Sequence, residues 1–135
     1  MRFPGKFKVN IDVSPDAESI PSMRLILQPF VENIFIHAFQ QKEHDCMLSI
    51  TAVIDNDFLE LKISDNGCGI PAKKVNELND LFNRTNIHYT AIHQHIGIYN
   101  SYQRLRLAYG NTAKMFIEST ENVGTIITIR HEIIL

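Results

Sequence analysis

The sequence is poor in cysteine and lacks a strong charge of either sign. Its two thiols, Cys46 and Cys68, do not stand in a CxxC pair. A disulfide framework and a cysteine-based zinc site are therefore not expected, and both residues read as reduced thiols without the adjacent base that marks a nucleophile. With 13 basic and 15 acidic residues the formal charge is −2. That balance supplies no general attraction to nucleic acid or to an acidic membrane surface. No apolar run is long enough to span a bilayer, and the first residues lack the apolar stretch of a signal peptide. No GxxxxGK[ST] run occurs, which excludes a P-loop phosphate cradle. His88, His93 and His95 cluster, but no carboxylate or cysteine at matching spacing completes a ligand set, and a solvated loop is the expected reading.

What is present is the composition of one globular domain over residues 1–135, with 44% apolar residues. Phe7, Val9, Ile11 and Val13 alternate with polar residues, the period of a strand with one buried face, and Ser14-Pro15-Asp16 punctuates the chain after it. Residues 22–39 are apolar almost all round, which predicts a deeply buried helix capped by Ser22 and kinked at Pro29. Residues 46–54 and 58–64 alternate again around Asp55-Asn56-Asp57 and read as a hairpin. A short helix is predicted over 72–83, a mobile loop over 84–95, and a second long helix over 96–109 stopped by Gly110. Two more strands, 113–119 and 125–131, close the chain around a turn through Glu121, Asn122 and Gly124. This order predicts an α/β two-layer sandwich: a mixed, mostly antiparallel sheet with about three helices on one face.

Four segments carry candidate chemistry. Asp65 shares its strand face with Leu59, Leu61 and Ile63, so period two aims a carboxylate at the core, where it needs hydrogen-bond donors such as the amino group of a base. Gly67 and Gly69 follow and permit close backbone approach. A tight turn capped by Asp is nevertheless the commoner outcome of such a segment taken alone. Glu32-Asn33 places an amide oxygen inside an apolar helix, where it could ligate Mg²⁺, beside a carboxylate able to orient a nucleophile; a satisfied buried amide is the plainer alternative. His95-Ile96-Gly97-Ile98-Tyr99-Asn100 opens a helix, whose free N–H groups form an anion site or an ordinary helix start. Gly124-Thr125 by itself is a hairpin turn.

In their order these segments resemble the boxes of the GHKL superfamily, which shares the Bergerat ATP-binding fold with histidine kinases, gyrase, HSP90 and MutL. Leu27-Gln28-Pro29-Phe30-Val31-Glu32-Asn33 resembles the N box and Asp65-Asn66-Gly67-Cys68-Gly69-Ile70 the first glycine box. Ile96-Gly97-Ile98-Tyr99-Asn100 resembles the second glycine box and Gly124-Thr125 the last. The likeness covers Phe7 to Ile133, and LQPFVEN with GIYNSYQRLRLAYG is most similar to sensor histidine kinases of the LytS/YesM type.

That resemblance implies the cofactors ATP and Mg²⁺ and a role for each residue. Asn33 would hold the metal, and Glu32 and Asn33 would form the catalytic pair. Asp65 would bind the adenine amino group, with Gly67, Gly69 and Ile70 lining the base pocket. Gly97, Ile98 and Asn100 would lie at the phosphates, His37 would approach them from the N box, and Thr125 would sit near the adenine and its water. A lid over about residues 71–95 would cover the nucleotide. Two positions depart from the pattern: Ile36 stands where many relatives have Lys, implying one phosphate contact fewer, and His95 stands where a glycine often opens the second glycine box.

The implied activity is transfer of the γ-phosphate to a histidine on a separate dimerisation domain of the same protein, homodimeric at full length, with a response regulator as the next acceptor. No phospho-acceptor helix is recognised in the chain, so it is expected to bind ATP without autophosphorylating alone. It is expected to be the cytoplasmic part of a bacterial inner- or plasma-membrane sensor kinase, with no direct membrane or nucleic-acid contact of its own. Two other readings stay open: a free-standing GHKL anti-sigma factor that phosphorylates serine, and a degenerate nucleotide-binding module without catalysis.

Overall fold

The computed structural model describes residues 7–21, 46–83 and 96–133, and within these the side chains of residues 7, 81, 83 and 96–101 are not described. The predicted helix over 22–39, and with it Ser22, Pro29, Glu32, Asn33, Ile36 and His37, lies outside the described residues, as do the histidines of the predicted loop. No described helix is long and apolar enough to cross a membrane.

Five strands form one sheet in the order β1-β2-β3-β5-β4: β1 Phe7–Val13, β2 Cys46–Asp55, β3 Phe58–Asp65, β4 Lys114–Thr120 and β5 Gly124–Glu132. β1 runs parallel to β2, and every other neighbouring pair is antiparallel. The hairpins follow from two tight turns. Asn56 and Asn122 take the positive φ values of 47° and 64° that a short reversal demands and that Asn tolerates better than most residues. Among the described residues the helices are α1 Pro15–Glu18, α2 Ala72–Asn83 and α3 Ile96–Tyr109. The sheet, the hairpins and the two longer helices agree with the sequence pattern. The short α1 differs from the expected break. Ser14 caps it by accepting from the Ala17 N–H at 3.3 Å, and Pro15 occupies the first turn, where its missing N–H costs nothing.

Strand alternation sorts the sheet into two faces. Leu48, Ile50 and Ala52 of β2, Leu59, Leu61 and Ile63 of β3, Met115 and Ile117 of β4, and Ile127 and Ile129 of β5 are buried together. Leu78 and Phe82 of α2 and Tyr102 and Leu105 of α3 join that cluster, so the helices cover one face. Each fully buried Leu or Ile contributes about 1.5–3 kcal/mol of transfer free energy. The other face carries Lys62, Phe116 and Arg130, and its ion pair Glu60–Lys62 at 3.8 Å is too exposed to contribute much.

Polar contacts fix the helices to this sheet and to each other. α2 lies along the outer edge at β4, where Asn79 Nδ2 donates to the Ile117 carbonyl and Asn79 Oδ1 accepts from the Ile117 N–H, both at 2.9 Å. The amide stands in for the next strand and satisfies an edge that would otherwise be open. The Tyr102 hydroxyl of α3 donates to the Phe82 carbonyl at the end of α2. At the far end of α3, Tyr109 stacks on His131 of β5 with ring centroids 3.7 Å apart. His131 is fully buried, and its Nδ1–H donates to the Glu132 carbonyl at 2.9 Å. Burial disfavours the imidazolium and holds the pKa below the ordinary 6.5, against the smaller opposing pull of that carbonyl.

Replacing Asn79 by Ala leaves two backbone groups of Ile117 without this partner. A loss of about 1–3 kcal/mol is expected in urea denaturation, and an unchanged midpoint would remove the edge-cap role. His131 generates a pH dependence. Its native pKa lies below its unfolded value, so the unfolded chain binds the extra proton. The contribution is complete above pH 6.5 and is lost as pH falls from there through the native pKa. Melting temperatures of wild type and His131→Phe, taken from pH 8 to pH 5, should show a steeper acid decline for wild type. Parallel curves would show that His131 is not responsible.

Candidate functional site

Asp65 ends β3 on the buried face, where the strand period requires it to be. It is 8% exposed, and its Oδ1 accepts the Gly67 N–H at 2.8 Å. This closes a local Asx turn, so the capped-turn reading and the inward carboxylate are both realised in one residue. The register pairs Asp65 with Thr125 on β5. Thr125 is 6% exposed, and directly opposed residues share a face with Cβ atoms about 5 Å apart.

The close approach of these strands depends on Gly124. Its φ is 149°, and a Cβ built on it would lie 2.1 Å from the Asp65 carbonyl oxygen. Gly69 has φ 72°, and a Cβ there would lie 2.2 Å from the Thr120 carbonyl oxygen. A side chain at 69 is therefore excluded by the end of β4, before any ligand is considered. The sequence pattern shows that position 69 needs a bare backbone, and the structure supplies this second reason.

The glycine loop is clamped from three sides. Asn66 Oδ1 accepts from the Met47 N–H at 2.7 Å, and the Asn66 N–H returns a bond to the Met47 carbonyl at 3.2 Å. The Asn122 N–H in the last hairpin donates to the Cys68 carbonyl at 2.7 Å. Ser119 Oγ on β4 accepts from the Ile70 N–H at 2.7 Å. Ile70 packs against the core from this position. Cys68, between the two glycines, is exposed and Cys46 is buried, and neither is in a disulfide.

Asp65, Gly67, Gly69, Ile70 and Thr125 are thus brought together at one end of the sheet. Gly97 and Ile98 fall in the first turn of α3, whose leading N–H groups have no partner within the helix, and Asn100 follows one turn later. Their side chains are not described, and Glu32, Asn33 and His37 lie outside the described residues. Among the described residues no group of three or more His, Cys, Asp or Glu could hold a metal. Sequence reasoning missed Asn66 and Ser119. The signal for Ser119 was legible: it follows Met115 and Ile117 in period two, a hydroxyl on the inward face of a strand.

Residues 18–133 match the family described as histidine kinase-, DNA gyrase B-, and HSP90-like ATPase. The sensor protein LytS of Bacillus subtilis (strain 168) is 32% identical over 130 residues, which cover 96% of this chain and 21% of that protein. The sensor protein kinase HptS of Staphylococcus aureus (strain bovine RF122 / ET3-1) is 26% identical over 132 residues, covering 94% and 23%. The chain spans about a fifth of the length of these curated relatives. In fold it is similar to the histidine kinase domain of the Erythrobacter litoralis EL346 blue-light activated histidine kinase. There the TM-score is 0.65 at 21% identity, over 96% of this chain and 52% of that one. The catalytic domain of histidine kinase ThkA gives a TM-score of 0.62 at 13% identity, over 93% and 79%. The extent of the family match decides the assignment: this chain belongs to the histidine kinase-, DNA gyrase B- and HSP90-like ATPases, as an ATP-binding domain of that family.

Proposed function

We propose that this domain binds Mg²⁺-ATP and presents its γ-phosphate to a histidine on a separate dimerisation domain of the same protein, from which a response regulator is phosphorylated. The observation that carries the reading is the buried Asp65 carboxylate beside Thr125, at the mouth of a loop where Gly69 admits no side chain. A core-facing carboxylate is an acceptor of the kind that suits the exocyclic amino group of adenine. Gly67 and Ile70 shape the same loop, and the first turn of α3, with Gly97 and Ile98 and with Asn100 one turn on, supplies donors suited to phosphate oxygens.

The chain's own residues fit such a ligand in the nature of their donors and acceptors. Asn33 offers a neutral oxygen of the kind Mg²⁺ takes together with phosphates, His37 a donor, and Glu32 a carboxylate able to orient the attacking imidazole. Bound metal would neutralise the charge on the phosphates. The protein's part is positioning, exclusion of water and hydrogen bonding. Of the lid over about 71–95, the portion in α2 is tied to the sheet by Asn79, Leu78 and Phe82. The parent protein is read as a homodimeric, membrane-anchored sensor kinase of the LytS type.

Isothermal titration with ATP, with and without Mg²⁺, is the direct test. Asp65→Asn keeps the volume but offers an amide. It is expected to weaken ATP roughly 10- to 100-fold, the range of a hydrogen bond to a charged group, while the protein stays folded. Unchanged affinity in Asp65→Asn would refute the assigned pocket. Gly69→Ala should lower both thermal stability and affinity, because its Cβ meets the Thr120 backbone rather than a flexible side chain.

A further inference from the structure

Ser119 has a position from which it controls chemistry without touching a ligand. A serine hydroxyl has one proton and two lone pairs. Ser119 Oγ lies 2.8 Å from the Gly124 carbonyl oxygen, which can only accept, so the proton goes there. One lone pair receives the Ile70 N–H at 2.7 Å. The other faces Thr125 Oγ1 at 2.8 Å. With the serine proton committed, Thr125 is the donor in that contact. The opposite assignment would leave the Ser119 and Gly124 oxygens 2.8 Å apart with no proton between them.

The direction of the Thr125 hydroxyl is thereby fixed. Its proton points to Ser119, and only lone pairs remain for other partners. The residue opposed to it is Asp65, which when ionised is acceptor-only as well, with Oδ1 already receiving the Gly67 N–H. The two side chains that share this buried face therefore present acceptors and no donor.

We infer that Ser119 is a positioning residue that sets the purine preference of the site, holding Thr125 as an acceptor so that 6-amino purines are favoured over 6-oxo purines. This rests on the nucleotide reading above. An amino group donates to such a wall, directly or through a water. An oxo group meets acceptors and leaves them unsatisfied, which is the costly case for buried polar groups. Without Ser119 the Thr125 hydroxyl is free to rotate and donate to an oxo group.

The test is titration of the 135-residue chain and its variants with ATP and with inosine triphosphate, both with Mg²⁺. Wild type should prefer ATP. Ser119→Ala should narrow that preference about fivefold, the size of one neutral hydrogen bond, and Ser119→Thr, which keeps a hydroxyl, should retain it. Should Ser119→Ala fail to fold by circular dichroism, Ser119→Cys puts a larger and much weaker donor at the same place and should narrow the ratio in the same direction. A variant that weakens both nucleotides equally would reduce Ser119 to loop support and overturn the inference. So would a wild type that binds both alike. A wild type that binds neither nucleotide overturns the ATP reading itself and this inference with it.

Discussion

A carboxylate placed on the inner face of a strand is the constraint around which this end of the sheet is organised. Asp65 cannot be hydrated as an exposed aspartate would be, so donors have to be brought to it. The chain does so by turning sharply after β3, so that the Gly67 amide folds back on Oδ1. That turn has to be held, and the holding contacts come from three other segments: the start of β2, the last hairpin and β4. The glycines at 69 and 124 are needed because those segments approach so closely that a Cβ would collide with backbone. Loop, turn and strand ends form one assembly.

The architecture was largely legible in the sequence because it rests on periodicity. Alternation around Leu59, Leu61 and Ile63 gives the strand, its buried face and the inward Asp65, and the same logic places Ile127 and Ile129. α2 and α3 follow from their apolar stripes and from Gly110. Period carries no information about contacts made by polar groups over long separations. The Asn79 clamp on Ile117 joins residues 38 positions apart, and nothing near Asn79 in the sequence distinguishes it from an ordinary surface amide. Asn66 reads as filler between Asp65 and Gly67 until β2 is seen beside it. The short α1 was read as a break because Ser-Pro-Asp marks helix starts and turns alike.

The candidate site divides along the same line. The half around Asp65 was legible as a polar residue on an apolar face followed by glycines, and the described residues put Asp65, Ile70 and Thr125 at one end of the sheet. Ser119 obeys the same rule, yet its own box is an unremarkable strand, and the boxes of the resemblance do not include it. His131 is another inward polar residue, and its surroundings give it a different part. Stacked on Tyr109 and donating to the neighbouring carbonyl, it is a structural imidazole of the core.

The parallel pairing of β1 with β2 has a consequence for how the chain assembles. β2 with β3 and β4 with β5 meet across reversals of two or three residues, whereas β1 reaches its partner only beyond residues 14–45, and β3 reaches β5 only beyond residues 66–123. Closing connections this long carries the larger entropic penalty, so the β1–β2 and β3–β5 pairings hold the slow, non-local part of the topology, β3–β5 across the longer separation.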